Sequence, residues 1–457
     1  MKKRNWICMI CILVVAVGML TGCQLQPAQP SPDKTDGSDT TTGEAGTPVQ
    51  QSDEKKPVTL RFSWWGGDTR HQATIAAIEK YQSLNPHVTI EYEYMGFDSY
   101  YTKLLTQLSG GNAPEISSVD YKWIGDLAAQ GKPFVNIRDI QDKINLSNFD
   151  SDFITNFCSA GDYLIGVPCG INGRGALYNT EFFSKYGLTA SDDWDWNDLL
   201  EAGKKVNQQD KDAHLLFLTN DVLVYVTRDL IKQKYGQNMI SDDFTYIGTK
   251  EDLVAAMQMV KDLIDTGTMP PFEESVPYET VFADQIPYWL NGQWGMTVLS
   301  ASNLPSIIAV SPFEIGTMRW VVSDGAKNSG ITIAPTMMLA IPTSTKYQDE
   351  AAAFINWFIN DKEAININGD TRGIPANKEA RKILEEQGKI SKQVSSMLEQ
   401  ALAAGGTPEN GNTLNSEIAA VISDYAHKVG YGELTPEEAG SKMYDDILYT
   451  LEQLKKK

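Results

Sequence analysis

The sequence predicts an α/β fold in two lobes, each a sheet flanked by helices, and three observations carry that expectation. Strand and helix periodicities alternate from Val58 onward. About four hundred residues follow that point, whereas a single hydrophobic core stops growing near ~250–300 residues. No tandem repeat of solenoid period runs through the chain.

The first residues read as an address rather than as part of the fold. Met1-Lys-Lys-Arg4 is basic, Trp6 to Leu20 is apolar but shorter than the ~20 residues that span a bilayer, and Leu20-Thr-Gly-Cys23 closes the run. The pattern predicts a signal peptide over residues 1–22. Leu-Thr-Gly-Cys resembles the bacterial lipobox, which implies a lipid on Cys23 and anchoring at the extracytoplasmic face of the cell membrane. Residues 23–57 are rich in Pro, Gly, Ser, Thr, Gln and Asp and predict a flexible tether.

The chain carries 39 basic and 59 acidic residues, a net charge of −20. Removing residues 1–22 takes three cations away, so nucleic acid and anionic lipid surfaces are poor partners. Of five cysteines, Cys8 and Cys11 fall in the signal run and Cys23 goes to the lipid. Cys158 and Cys169 flank Ser159-Ala-Gly-Asp162, a hairpin-turn sequence, and are read either as a disulfide or as two inert buried thiols.

Val58 to Trp64 is a β-branched and aromatic run that stops at Gly66-Gly67. Ile75, Ile78, Tyr81 and Leu84 then recur at helical spacing until Asn85-Pro86, and Val88, Ile90, Tyr92 and Tyr94 alternate as a second strand. Asp98 is the expected cap of a helix carrying Tyr101, Leu104, Leu105 and Leu108, ended by Gly110-Gly111. Glu115 to Val119 is a third short strand. Strand, helix, strand, helix, strand predicts an open, largely parallel sheet. Right-handed crossovers place the carboxyl ends of the first and third strands on one edge, where ligands bind in such sheets. Trp64-Trp65 and Asp120 to Trp123 therefore converge across some fifty-five positions of sequence. Further helices are expected over 196–206, 249–264 and 435–454, the last with Thr435 as cap and Pro436 at its first position.

Several spaced motifs resemble the sugar-binding lipoproteins of ABC importers, the maltose-binding-protein-like family of solute-binding proteins. They are Gly166-Val-Pro168 with Ala176-Leu-Tyr-Asn179, Asn291-Gly-Gln-Trp-Gly-Met296, Ile341-Pro342 before the helix Gln348 to Ile359, and Gly373-Ile-Pro-Ala376. Trp64-Trp-Gly-Gly67 with Arg70-His71 and Trp123 resembles a branch that handles pectic oligosaccharides. The resemblance implies a periplasmic-binding-protein-like fold with discontinuous lobes: residues 58–168 with 322–366, and 169–321 with 367–457, joined by a three-stranded crossing that acts as a hinge. It also implies a monomer that closes on an oligosaccharide and delivers it to an ABC permease, without a cofactor.

A sugar offers a face of C–H bonds and a rim of hydroxyls, so aromatic platforms and fixed polar groups recognise it. The expected contacts are Trp64 or Trp65, Arg70, Asp120, Trp123, Asn172, Arg174, Ser300, Asn303 and Arg372. Each has a plainer alternative. One or both tryptophans pack as core, Asp120 caps the helix starting at Tyr121, and Arg70 pairs with Asp68 instead of joining Lys122, Arg174 or Arg372 around a ligand carboxylate. Tyr178-Asn179 is read as structural. The chain has no Gly-x-Ser-x-Gly, His-Glu-x-x-His, phosphate loop or Rossmann glycine triplet, and its four histidines make no metal set. A surface glycosidase or polysaccharide lyase stands as the enzymatic alternative, since acids are plentiful.

Overall fold

The computed structural model describes residues 56–218, 220–279, 281 and 283–456. The signal peptide expected over 1–22, Cys23, and all but the last two residues of the tether lie outside the described residues. Strand β1 (Val58–Trp65) is followed by the helix Asp68–Leu84, strand β2 (Val88–Met95), the helix Phe97–Ser109 and strand β3 (Ile116–Val119). β1 pairs in parallel with both β2 and β3. The second helix departs slightly from expectation: the chain turns at Gly96, which holds the N-cap position, so Asp98 falls inside the helix.

Val58, Leu60, Phe62 and Trp64 bury one face of β1 along its whole length, whereas on the other face Thr59 is exposed and Arg61 half-buried and only Ser63 and Trp65 are covered, which explains its alternating sequence. Phe62 and Trp64 lie on one face, where the Phe62 ring sits 5.7 Å from Phe354 and 6.1 Å from Phe358 of the helix Gln348–Asn360. On the other face Ser63 Oγ lies 2.9 Å from the Tyr100 hydroxyl, which also accepts the Ser118 N–H at 3.0 Å. One buried phenol thus ties β1 to β3 just before both strands end.

The hairpin expected at Ser159 to Asp162 is present as β4 (Ser159–Ala160) and β5 (Tyr163–Leu164), turning through Gly161 at φ +59°. Cys158 and Cys169 are free thiols. Next comes β6 (Val167–Asn179), thirteen residues long, and then β7 (His214–Leu216), β8 (Trp294–Ser300), β9 (Ile315–Met318), β10 (Ile333–Ala340) and β11 (Ile374–Pro375). The first half of β6 runs antiparallel to β10 and β11, and its second half antiparallel to β8 and β9. β10 in turn pairs antiparallel with β3. The resulting order is β2-β1-β3-β10-β6-β8-β7. The sheet is therefore mixed rather than largely parallel, because the chain returns through it along β6 and β10.

Helices pack on this sheet with well-formed ends. Asp195, Thr249 and Thr435 each close a capping box on the helices Trp196–Gln209, Lys250–Asp265 and Pro436–Leu454, which satisfies amide groups that a helix cannot bond internally. The buried amide of Gln233 accepts from Trp196 Nε1 and the Ser323 amide, and donates to the carbonyls of Val321 and Ser329. It fastens the segment before β10 to the helix Asn220–Tyr235. Among the described residues, no helix is long and apolar enough to cross a membrane.

Two predictions follow from packing and charge. A Cβ at Gly170 of β6 would overlap the Arg372 carbonyl oxygen and crowd Thr336 Oγ1, so Gly170→Ala is expected to cost about 1–3 kcal/mol in urea unfolding. His427, in the helix Ser416–Gly430, bonds the Glu279 carboxylate, and that bond raises its pKa above the usual imidazole value. The folded state then holds the proton more tightly than the unfolded chain. The stabilisation is complete below ~6.5 and disappears as pH rises through the folded pKa. The stability gap between wild type and His427→Gln should accordingly narrow from pH 5 to pH 9; a constant gap rules the linkage out.

Candidate functional site

The site forms where β1 and β3 end. Trp65 and Trp123 meet at 5.3 Å between ring centroids, as the strand topology requires. Trp123 stacks on Tyr101 at 4.4 Å and on Phe97 at 5.6 Å, and Trp65 also touches Phe97 and Tyr100. Trp65 and Trp123 are 7% and 8% exposed, while Phe97 is 43% exposed. Trp64 faces the other way and is fully buried. Its indole N–H donates to His71 Nδ1 at 3.0 Å, and its ring lies against Phe62 and Tyr94. The alternation of side chains along a strand separates the two indoles.

Asp120 sits immediately after β3. Its Oδ1 accepts the Lys122 amide at 2.9 Å and caps the short helix Tyr121–Trp123. Burial raises the Asp120 pKa, partly offset by that amide and by the Lys122 charge. The Tyr121 phenol is pushed up to about 12, first by burial and then by Asp120 and Glu409. Glu409 belongs to a distant part of the chain, so its field on Tyr121 shows that two remote segments face each other.

Between those segments lies a cavity of about 340 Å³, within the range of small-ligand sites. One wall comprises Tyr121, Lys122, Ile124, Asn156, Phe157 and Ser159, and the other Asn238, Asp242 and Pro408 to Gly411. The second wall is held rigidly. Asn410 Nδ2 donates to the Ile240 carbonyl and to Asp242, Lys232 Nζ donates to the carbonyls of Thr407 and Pro408, and Thr332 Oγ1 donates to Glu409. Burial brings the Lys232 pKa down to about 8.

The other expected residues serve internal contacts. Arg174 is 3% exposed and pairs with the equally buried Asp229 at 2.5 Å, donates to the Gly330 carbonyl, and lies 4.2 Å over the Tyr225 ring. Trp320 Nε1 donates to the same Asp229. Asn172 exchanges hydrogen bonds with Ser302, accepting from its amide and donating to its hydroxyl, beside the turn Ala301–Asn303. Ser300 pairs with Arg174 across β8 and β6, at the N-cap of that turn. Arg70 is not paired with Asp68 in the way a plain surface ion pair would be; its Nε donates to the Thr371 carbonyl and its Nη1 to the Trp65 carbonyl. Arg372 points among helices, to Thr74 and Asn368, rather than into the cavity. Asn179 caps the helix Thr180–Lys185, in line with its structural reading.

Sequence reasoning placed the run Asp120 to Trp123 at this edge without singling out Tyr121, and missed Asn238, Asp242 and the stretch Pro408 to Gly411. Thr407-Pro-Glu-Asn-Gly411 advertises only a loop, and nothing local says which distant surface it meets. Among the described residues, no group of three or more His, Cys, Asp or Glu is arranged to hold a metal.

One long strand serves both halves of the sheet, and loops from remote segments wall a cavity. The chain belongs to the bacterial extracellular solute-binding protein family, whose model matches residues 67–365. Putative binding proteins of Brucella abortus and Brucella suis are 24% identical over 209 residues, 44% of this chain. That match spans about half, 48%, of those relatives' length. Among solved structures, an extracellular solute-binding protein family 1 member from Alicyclobacillus acidocaldarius is 24% identical with a TM-score of 0.78, covering 87% of this chain and all of that one. A periplasmic oligogalacturonide binding protein from Yersinia enterocolitica, in complex with saturated digalacturonic acid, is 25% identical with a TM-score of 0.60, covering 86% and 99%. The fold is thus the two-lobed periplasmic-binding-protein type.

The buried pair gives a direct prediction. Arg174→Met leaves Asp229 as an uncompensated buried carboxylate and should cost about 3–5 kcal/mol in urea unfolding, whereas Arg174→Met/Asp229→Leu should recover a large part of that loss. Equal losses in the single and double variants would exclude the pair as the cause.

Proposed function

We propose that this protein captures an oligosaccharide between its two lobes and delivers it to an ABC transporter permease, as a monomer held at the membrane by a lipid on Cys23. The carrying observation is the 340 Å³ cavity walled on one side by the turn after β3 and on the other by residues 238–242 and 408–411. In this reading the lobes are residues 58–168 with 322–366 and residues 169–321 with 367–457, so the cavity is the gap between them. The start of β6, the segment 318–323 after β9 and the segment leading into β11 are the crossings.

The chemistry suits a hydroxyl-rich solute. Tyr121 offers an aromatic face, while Asn156 and Asn238 offer amides that both donate and accept. Asp120 is a capping carboxylate beside them, its pKa raised by burial. Lys122 is the only cation lining the cavity among the described residues, against the carboxylates of Asp242 and Glu409, which favours a neutral sugar over a polyuronate. Binding contacts split between the walls stabilise the closed arrangement more than equal contacts on one wall, because only closure makes both sets at once. The permease then has a distinct shape to read.

The test is a thermal-shift and calorimetry screen over neutral and acidic oligosaccharides. A neutral oligosaccharide should raise Tm and bind more tightly than oligogalacturonides, since a ligand confined to the folded state stabilises it by mass action. Tyr121→Ala and Trp123→Ala should each weaken the hit about tenfold, the scale of one lost aromatic contact, while Tyr449→Ala, 64% exposed and remote from the cavity lining, should not. Unchanged affinity in both aromatic variants sinks this site. Shortened or unsaturated products from pectin or hemicellulose oligomers would instead support the glycosidase or lyase reading.

A further inference from the structure

The turn from β2 into the helix Phe97–Ser109 leaves one phenylalanine at the surface but not loose. Phe97 is 43% exposed. Its ring lies 5.6 Å from the Trp123 ring, 19° from parallel, and 5.4 Å from Trp65 in an edge-on contact. Tyr101, one helical turn further on, stacks on Trp123 at 4.4 Å and 17°. Residues four apart share a helix face, so the start of this helix lays Phe97 and Tyr101 against the same indole. Gly96, extended at the N-cap, makes Phe97 the first residue of the helix.

A phenyl ring at the surface gains nothing from water. Tyr92 and Tyr94 of β2 are exposed to a similar degree, 44%, but each has a hydroxyl to hydrate, whereas Phe97 has no polar atom. A leucine would shield the two indoles as well. What phenylalanine adds is a flat outer face, and the contacts with Trp65 and Trp123 fix that face in one orientation, so little freedom is left to lose when something packs on it.

Its place points to the occupant. Phe97 follows the carboxyl end of β2, on the edge where the parallel strands β1 and β3 also end, and ligands bind at that edge of such sheets. Trp123 stands between Lys122 and Ile124, both of which line the proposed sugar cavity, while Phe97 does not line it. The plane thus adjoins the cavity from outside. We propose that Phe97 is a second sugar platform: with one part of an oligosaccharide in the cavity, a further ring of the same chain packs its C–H face on Phe97. This rests on the sugar reading above and adds a chain-length requirement to it. A short sugar confined to the cavity leaves the plane bare. A longer one continues past Trp123 and covers it, so affinity climbs with length up to the unit that reaches Phe97 and then levels off.

The experiment is calorimetry on the mature chain, tether included, with malto-, cello- and xylo-oligosaccharide ladders of two to six units and with oligogalacturonides. In the series that binds, wild-type affinity should step up by about tenfold at one added unit, the scale of one aromatic contact. Phe97→Leu keeps the indoles shielded but removes the plane, so it should abolish the step, leave the shorter members unchanged and keep the sugar-free Tm. Phe97→Trp should retain the step, and its added indole emission should respond only to members beyond it. An affinity independent of length in wild type, a step retained in Phe97→Leu, or an equal loss for short and long members in that variant would each overturn the platform and leave the cavity reading standing. Unchanged binding at every length with lost uptake by cells would assign this face to the permease instead. No binding to any of these sugars would remove the sugar reading itself, and the platform with it.

Discussion

Strand β6 carries hydrogen-bond ladders to both halves of the sheet along thirteen consecutive residues. A backbone ladder is cooperative and geometrically specific, so the two halves cannot separate without breaking it. The partner of β6 changes from β10 to β8 near Gly173 and Arg174. The side chains along β6 answer to the same demand. At Gly170 the neighbouring chain crossing approaches too closely for a Cβ, and at Gly175 the Met397 side chain does.

The beginning of the sheet could be read directly because its signals are local. The run from Val58 to Trp65, the helix ending at Asn85-Pro86 and the glycines after Ser109 each carry their own punctuation, and the parallel crossover rule does the rest. The same rule brings Trp65 and Trp123 together, as they are at 5.3 Å. The alternation rule further separated Trp64 from Trp65, and the structure shows how: Trp64 lies inward with its N–H spent on His71, and Trp65 lies among Phe97, Tyr100 and Trp123.

What stayed illegible was long-range and polar. Nothing near Arg174 announces Asp229, 55 positions away, as its buried partner, and nothing near Glu409 announces Tyr121. The antiparallel placement of β10 between β3 and β6 escaped for the same reason, since short apolar strands carry no mark of direction. Their positions beside expected chain crossings mark Arg174 and Arg372 as ligand-facing, and most arginines are exposed. Arg174 and Arg372 are exceptions, and each is instead embedded against an aromatic ring, Tyr225 and Phe358 respectively.

The two outermost strands of the sheet bear on how the chain behaves among copies of itself. β2 ends one side and presents Glu91 and Glu93 along its open backbone, with Glu93 drawn toward Lys103. β7 ends the other side and offers three residues. A second molecule attempting to add its own strand would meet like charge on one flank and too short a template on the other. Such blunted margins let a nine-stranded sheet exist at high local density without templating fibrils.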